Sequence, residues 1–242
     1  MHRAPHLKTL LATAAVLALA TGTAQAADYD VAGGKLSFKG SVFAGAVYRT
    51  DSTNPEIVQT ANAASVGITT PAPTGGANQD DGNLNYRKGD TVSRAVKGTL
   101  EMGYQRGGYG VVGSLKAWDD MALSSDAVRF GNVPNGYVAN TPLSDKGFSA
   151  RDQFTNAVLD DLYLMGHTPV GGSAVDWKAG LQKLDWGTKY TIPGGLGELS
   201  PRDVPAARRA GALPEEGRIP VPALSAKWAL ASGTTLDAFV QT

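Results

Sequence analysis

The feature that most constrains this chain is what joins its sheet-period segments: a long polar loop, then a tight turn, then a long loop again. Successive side chains of a strand point to opposite faces, so apolar and polar residues alternating at period two mark a strand with unlike surroundings on its two sides. Lys35 to Arg49 reads this way, with Leu36, Phe38, Val42, Ala44, Ala46 and Tyr48 opposite Lys35, Ser37, Lys39, Ser41 and Arg49. Thr91 to Arg106 sets Val92, Val96, Leu100, Met102 and Tyr104 against Ser93, Lys97, Thr99, Glu101 and Gln105, with Arg94 interrupting the apolar face. A Gly107-Gly108 turn leads into Tyr109 to Trp118, where Val111, Gly113, Leu115 and Ala117 oppose Ser114 and Lys116. These two strands form the clearest hairpin.

Phe154 to His167 is less regular, with Leu159, Tyr163 and Met165 on one face and Asn156 and Asp160 on the other. A short turn at Pro169 to Ser173 returns into Ala174 to Trp186, followed by Ile219 to Ala231, a Ser232-Gly233 turn and Thr234 to Thr242. The long connections are Thr50 to Asp90, Asp119 to Gln153 and Gly187 to Arg218. Short turns at one end and long loops at the other are the layout of an outer-membrane barrel, whereas a soluble sandwich has loops at both ends. The expected fold is all-β: a transmembrane antiparallel up-and-down β-barrel, here about seven strands of it. Seven strands with open edges cannot sit in lipid, because each unsatisfied backbone group there costs several kcal/mol, so the chain is expected to be an N-terminal portion of a longer barrel.

The N-terminus supports export. His2, Arg3, His6 and Lys8 form a basic region, Leu10 to Ala20 an apolar core, and Ala24-Gln25-Ala26 a small-x-small cleavage site. Residues 1–26 therefore read as a secretory signal peptide and residues 27–242 as the barrel portion, placed in the outer membrane of a Gram-negative bacterium. The apolar core is far short of the roughly 20 residues a spanning helix needs. There is no Cys, so neither a lipid anchor nor a disulfide is available. Without Arg3 and Lys8 the charge is 20 basic against 22 acidic residues. That balance lacks the basic patch a nucleic-acid partner requires. Tyr48, Tyr104, Tyr109, Trp118, Tyr163, Trp186, Tyr190 and Trp228 fall near strand ends, where membrane-interface aromatics sit, although aromatics also simply favour strands.

One stretch carries family character. It runs Gln182-Lys183-Leu184-Asp185-Trp186-Gly187, Ser200-Pro201-Arg202-Asp203, Ala207-Arg208-Arg209-Ala210-Gly211, Glu215-Glu216 and Ile219-Pro220-Val221-Pro222-Ala223-Leu224. This resembles the domain-of-unknown-function-1302 (DUF1302) family of large outer-membrane proteins, in which a Trp-Gly strand end precedes an Asn-Pro-x-Asp element, an Arg-Arg-x-Gly step and a Pro-x-Pro strand start. Ser200 departs from the more usual Asn. The resemblance implies an outer-membrane barrel of undetermined activity, in contact with outer-membrane lipid. It also implies a periplasmic lipid-carrier-like protein and an inner-membrane permease system as partners, and hence movement of hydrophobic or amphipathic molecules. No cofactor is implied.

Read from its residues, Ser200 is expected as a helix N-cap, with Pro201 in the first position and Asp203 as the acidic third residue. Two readings of the following charges stand. Ser200, Pro201, Asp203, Arg208, Arg209, Glu215 and Glu216 could form a charged constriction in a barrel lumen, Arg pairing with Glu. Alternatively they form a solvated, locally capped loop with exposed ion pairs worth about 0 to 1 kcal/mol each.

Enzyme readings lack parts. A hydrolase needs a base beside a nucleophile, and His167 is the only His outside the signal, at a strand end with no Ser at a suitable spacing. Asp80-Asp81, Asp119-Asp120 and Asp160-Asp161 lack the ligand spacing of a Ca²⁺ loop and read as solvated loop charge, so no metal site is expected. The tract Ser65 to Asn83, rich in Thr, Pro, Gly and Asn, reads as a mobile outer loop. The expected function is a channel or transporter for a hydrophobic or amphipathic compound across the outer membrane. The alternative is a structural or surface-interaction barrel without transport.

Overall fold

A computed structural model of the chain describes residues 23–71, 73, 79–184, 199–230 and 233–242. Its main feature is an eight-stranded sheet: β1 (Thr23–Val31), β2 (Gly34–Tyr48), β3 (Thr91–Arg106), β4 (Tyr109–Asp120), β7 (Thr155–Val170), β8 (Ser173–Gln182), β9 (Val221–Ala229) and β10 (Thr235–Gln241). A separate two-stranded pair, β5 (Ala127–Val128) and β6 (Thr141–Pro142), lies in the connection before β7. The sheet strands follow one another in chain order, so the sheet is an antiparallel meander with β1 and β10 at its edges and no closure into a barrel.

Seven of the eight strands match the period-two segments, and the parity of long loop and tight turn is preserved. The short turns sit on glycines that adopt the left-handed backbone a two-residue reversal demands, Gly33, Gly107, Gly171 and Gly172 among them. β1 is the strand the periodicity missed. Its first four residues coincide with the small-residue segment read as a cleavage site, and the remaining Ala27 to Val31 is too short a run to announce a strand. Within it Tyr29 pairs with Leu36 and stacks edge-on with Phe38, ring centroids 6.0 Å apart.

The faces of β7 differ from expectation because of a bulge. Ser114 pairs with Asp161 but Leu115 pairs with Leu159, leaving Asp160 as the extra residue. An extra residue reverses the alternation beyond it. Leu159 therefore shares a face with Leu162 and Leu164, while Tyr163 and Met165 turn to the opposite face, with Lys178 and Ser225.

The two faces of the sheet are chemically opposite. One exposes Val42, Leu100, Leu115, Leu162, Leu164, Leu224 and Val240, the last 64% exposed. The other carries Lys97, Lys116, Ser114 and Trp118, with Lys116 only 2% exposed, beneath the segment 199–220. The described residues divide into two compact units: Ala20–Ala44, Val96–Asp119 and Phe148–Thr242 make one, and Gly45–Ala95 with Asp120–Gly147 the other.

The second unit is built from connections rather than strands. Helix α1 (Thr60–Ser65) and a 3-10 turn at Asp81–Asn85 close over Val58, Ala63, Leu84 and Phe130. Asn85 joins the connections from within: its side-chain amide donates to the Gly131 carbonyl at 3.0 Å, and its oxygen accepts from Phe130 and Gly131 amides at 3.2 and 2.7 Å. The described part of the tract read as a mobile loop is therefore packed, because Val66 and Ile68 join this apolar cluster. Asp120 is buried, caps α2 (Met121–Ser125) through the Ala122 amide at 3.2 Å and accepts from Ser93 Oγ at 2.5 Å, so it is not solvated charge either. Asp81 likewise accepts from the Gln59 amide and Asn62, both at 2.7 Å.

Candidate functional site

The third long connection belongs to the same compact unit as most of the sheet. Its stretch from Leu199 to Pro220 is seated on the polar sheet face by charge. Asp203 is the N-cap of helix α3 (Val204–Arg208), accepting from the Ala206 amide at 2.9 Å, with Pro205 within the first two positions. Asp203 rather than Ser200 thus starts the helix. An aspartate followed by a proline two residues on matches helix-start chemistry as well as Ser200-Pro201 does, and the choice falls to the residue that also meets two cations.

Asp203, fully buried at its carboxylate, receives Lys116 Nζ of β4 at 3.3 Å and Arg151 Nη1 at 3.4 Å. Glu216, in a 3-10 turn at Pro214–Gly217, receives Lys97 Nζ of β3 on both oxygens, at 2.7 and 2.6 Å. Lys97 also donates to the Gly211 carbonyl at 2.6 Å, and Lys116 to the Glu216 carbonyl at 3.3 Å. Both lysines leave water, so each needs several acceptors to offset desolvation. The ends of the segment are clamped together, Asp203 N donating to Gly217 O at 3.0 Å and Ile219 N to Pro201 O at 2.8 Å.

Around this core lies a second layer. Arg209 lies with its guanidinium 3.9 Å from the Trp118 ring centroid and donates to the Arg151 carbonyl at 2.9 Å. Trp118 is held by its indole N–H on Gln153 O at 2.8 Å. Asp160, the bulge residue, takes Arg151 at 3.3 Å and Lys183, which also lies 3.9 Å from Asp161. The bulge thus aims a carboxylate into the cluster; Asp160 is a buried strand residue, not loop charge. Gly211 packs on Phe43 of β2 so closely that an added Cβ would fall 1.8 Å from the ring.

Of the residues expected in a constriction, the structure buries Ser200, Asp203, Arg209 and Glu216 together on the sheet and leaves Pro201 and Arg208 exposed. Ser200 Oγ accepts from the Leu184 amide at 2.9 Å, a role for a short side-chain oxygen. Glu216 pairs with a strand lysine rather than an arginine of its own segment, and these buried pairs are unlike the exposed ones of a solvated loop. Of Glu215 only the backbone is described. Sequence reasoning missed Lys97, Lys116, Arg151, Asp160 and Lys183 as its partners. Its only signal was that Lys97 and Lys116 fall on the polar parity of adjacent strands.

The aromatics also sort by face. Tyr48 and Tyr109 are exposed, and Tyr104 and Trp228 share the apolar parity, Tyr104 donating its hydroxyl to Val31 O at 3.2 Å. Trp118 and Tyr163 lie on the polar side of the sheet; Trp186 and Tyr190 lie outside the described residues. Trp177, packed 6.3 Å from Tyr109 on the apolar face, is one the reading overlooked. His167 is exposed and meets Asp176 at 2.6 Å with no nucleophile among its contacts. Among the described residues no cluster of His, Cys, Asp or Glu could hold a metal ion, and no helix is long and apolar enough to cross a membrane, which says nothing of a β-barrel.

Comparison with curated proteins and with solved structures found no match. The model of one protein family, described as "Protein of unknown function (DUF1302)", matches residues 7–242. With its antiparallel sheet and its charge-seated connection, the chain belongs to the DUF1302 family.

Proposed function

We propose that this chain is part of an outer-membrane β-barrel that passes a hydrophobic or amphipathic compound, with the segment 199–220 as its constriction. The observation that carries the reading is the inversion of the sheet: large apolar side chains are exposed on one face while paired charges are buried against the other. In water such an apolar face is a liability, and facing lipid it is the stable arrangement. Tyr29, Tyr104, Tyr109, Trp177 and Trp228 lie toward the tight-turn ends of their strands, the level of a membrane interface. The open edges at β1 and β10 must then be paired within the membrane. The basic and apolar pattern of the N-terminus supports export to that membrane, and a periplasmic lipid-carrier-like protein and an inner-membrane permease are the partners this route needs.

Deleting Pro201 to Gly211 from the full-length protein removes α3 and the carbonyl that Lys97 engages. The expected result is increased conductance in a planar bilayer, with heat-modifiable gel migration showing that the barrel still folds. Unchanged conductance in a folded variant overturns the constriction and favours a barrel without transport.

A further inference from the structure

Below the seated segment, the polar face of β7 to β10 forms a cavity of about 870 Å³. Direct strand pairing orders its wall in rows. Nearest the tight turns come His167, Asp176, Lys227 and Asp237, one from each of four strands. The next row is Met165, Lys178 and Ser225. Gln182, Lys183 and Leu184 line its far end, where Leu184 joins an apolar cluster with Val221 and Ala223.

Lys178 is the odd charge in this wall. In the outer row His167 meets Asp176 at 2.6 Å, and Lys227 has a carboxylate residue on either side in register, Asp176 and Asp237. Lys183, at the far end, is engaged by Asp160 and Asp161. Lys178 has Met165 and Ser225 beside it in register, and among the described residues no carboxylate is within ion-pair distance of it. Its ammonium is held instead over the Tyr163 ring at 4.9 Å, which fixes the cation without neutralising it. A positioned cation backed by an apolar floor is complementary to a molecule with one anionic head and an apolar body.

We propose that this cavity binds an alkyl carboxylate, its head on Lys178 and its chain running over Met165 toward Leu184. The inference rests on the transport reading and names its substrate class as amphipathic anions.

The test uses the full-length protein in detergent micelles with dansyl-undecanoate as a fluorescent probe, displaced by dodecanoate or by dodecanol. Comparing variants in the same micelles cancels partition of the probe. Dodecanoate is expected to displace the probe about tenfold more tightly than dodecanol, the size of one charge-assisted contact. Lys178→Gln should abolish that difference and Lys178→Arg should keep it; the side chain is exposed, so both variants fold. Equal displacement by acid and alcohol, an unchanged Lys178→Gln profile, or no saturable binding each overturns the proposal. Raised conductance of the Pro201 to Gly211 deletion alongside any of these would leave the channel standing without this site. A silent bilayer with intact carboxylate discrimination would overturn the channel and leave the site.

Discussion

Two connections of this chain are ordered by opposite means. In the unit containing Gly45–Ala95, the chain is organised around Val58, Ala63, Leu84 and Phe130, an apolar core with one buried amide, Asn85, joining its strands of backbone. The segment 199–220 offers the sheet few large apolar groups and is instead held by Lys97 on Glu216 and by Lys116 and Arg151 on Asp203. Apolar burial is non-directional and tolerates water nearby, so it suits a connection that stays folded. Buried ion pairs gain little net free energy over hydrophobic replacements, yet losing one partner is severe. The first design fixes a structure; the second makes docking depend on every charge being present.

That contrast gives its largest expected effect at Asp203. Asp203→Ala removes a helix cap and leaves Lys116 buried without its carboxylate, a loss of about 3 to 5 kcal/mol. Opening of the segment should then raise trypsin cleavage after the exposed Arg208 by about a hundredfold or more, since cleavage follows the open population. Unchanged cleavage would show that the segment is held by something other than its charges. Leu84→Ala should cost about 2 to 5 kcal/mol through the cavity it leaves, measured as faster hydrogen exchange in α1 and the Asp81–Asn85 turn. Cleavage after Arg208 should not change in that variant; if it does, the two connections are not independent in the way their chemistry suggests.

The strands were legible because period two is written into nearly every one, and loop parity needed only the glycine turns. What could not be read was pairing across distance. Lys97 and Lys116 show their face by parity, but Glu216 and Asp203 follow them by about a hundred residues, and no local pattern says which carboxylate each will meet. The bulge at Asp160 was hidden for a related reason. An inserted residue changes the parity of Tyr163 and Met165 without any local composition to mark it, because an Asp-Asp pair reads equally as loop charge. Ser200 and Asp203 both carry helix-start chemistry, and only the cations beneath Asp203 decide between them.

The smallest effect sharpens the comparison from the side of the apolar unit. Burial, with Asp120 and then Asp126 nearby, pushes the Tyr86 phenol from its ordinary 10.0 up to about 12. Folding therefore favours the protonated phenol. Below pH 10 both folded and unfolded chains hold that proton and stability is unaffected. Between about pH 10 and about 12 the unfolded chain releases it first, binds fewer protons than the folded one, and stability falls as pH rises, by about 2 to 3 kcal/mol at most. Tyr86→Phe has no phenol to ionise and should not show this loss, so its unfolding midpoint should decline less between pH 9 and 11.5 than that of the unaltered chain. A difference titration of phenolate absorbance between the two proteins isolates the same group. A midpoint near 12 places Tyr86 inside a desolvated core like that of Leu84, whereas a midpoint near 10 would mean that this connection, too, is open to water where its backbone crosses from loop to strand.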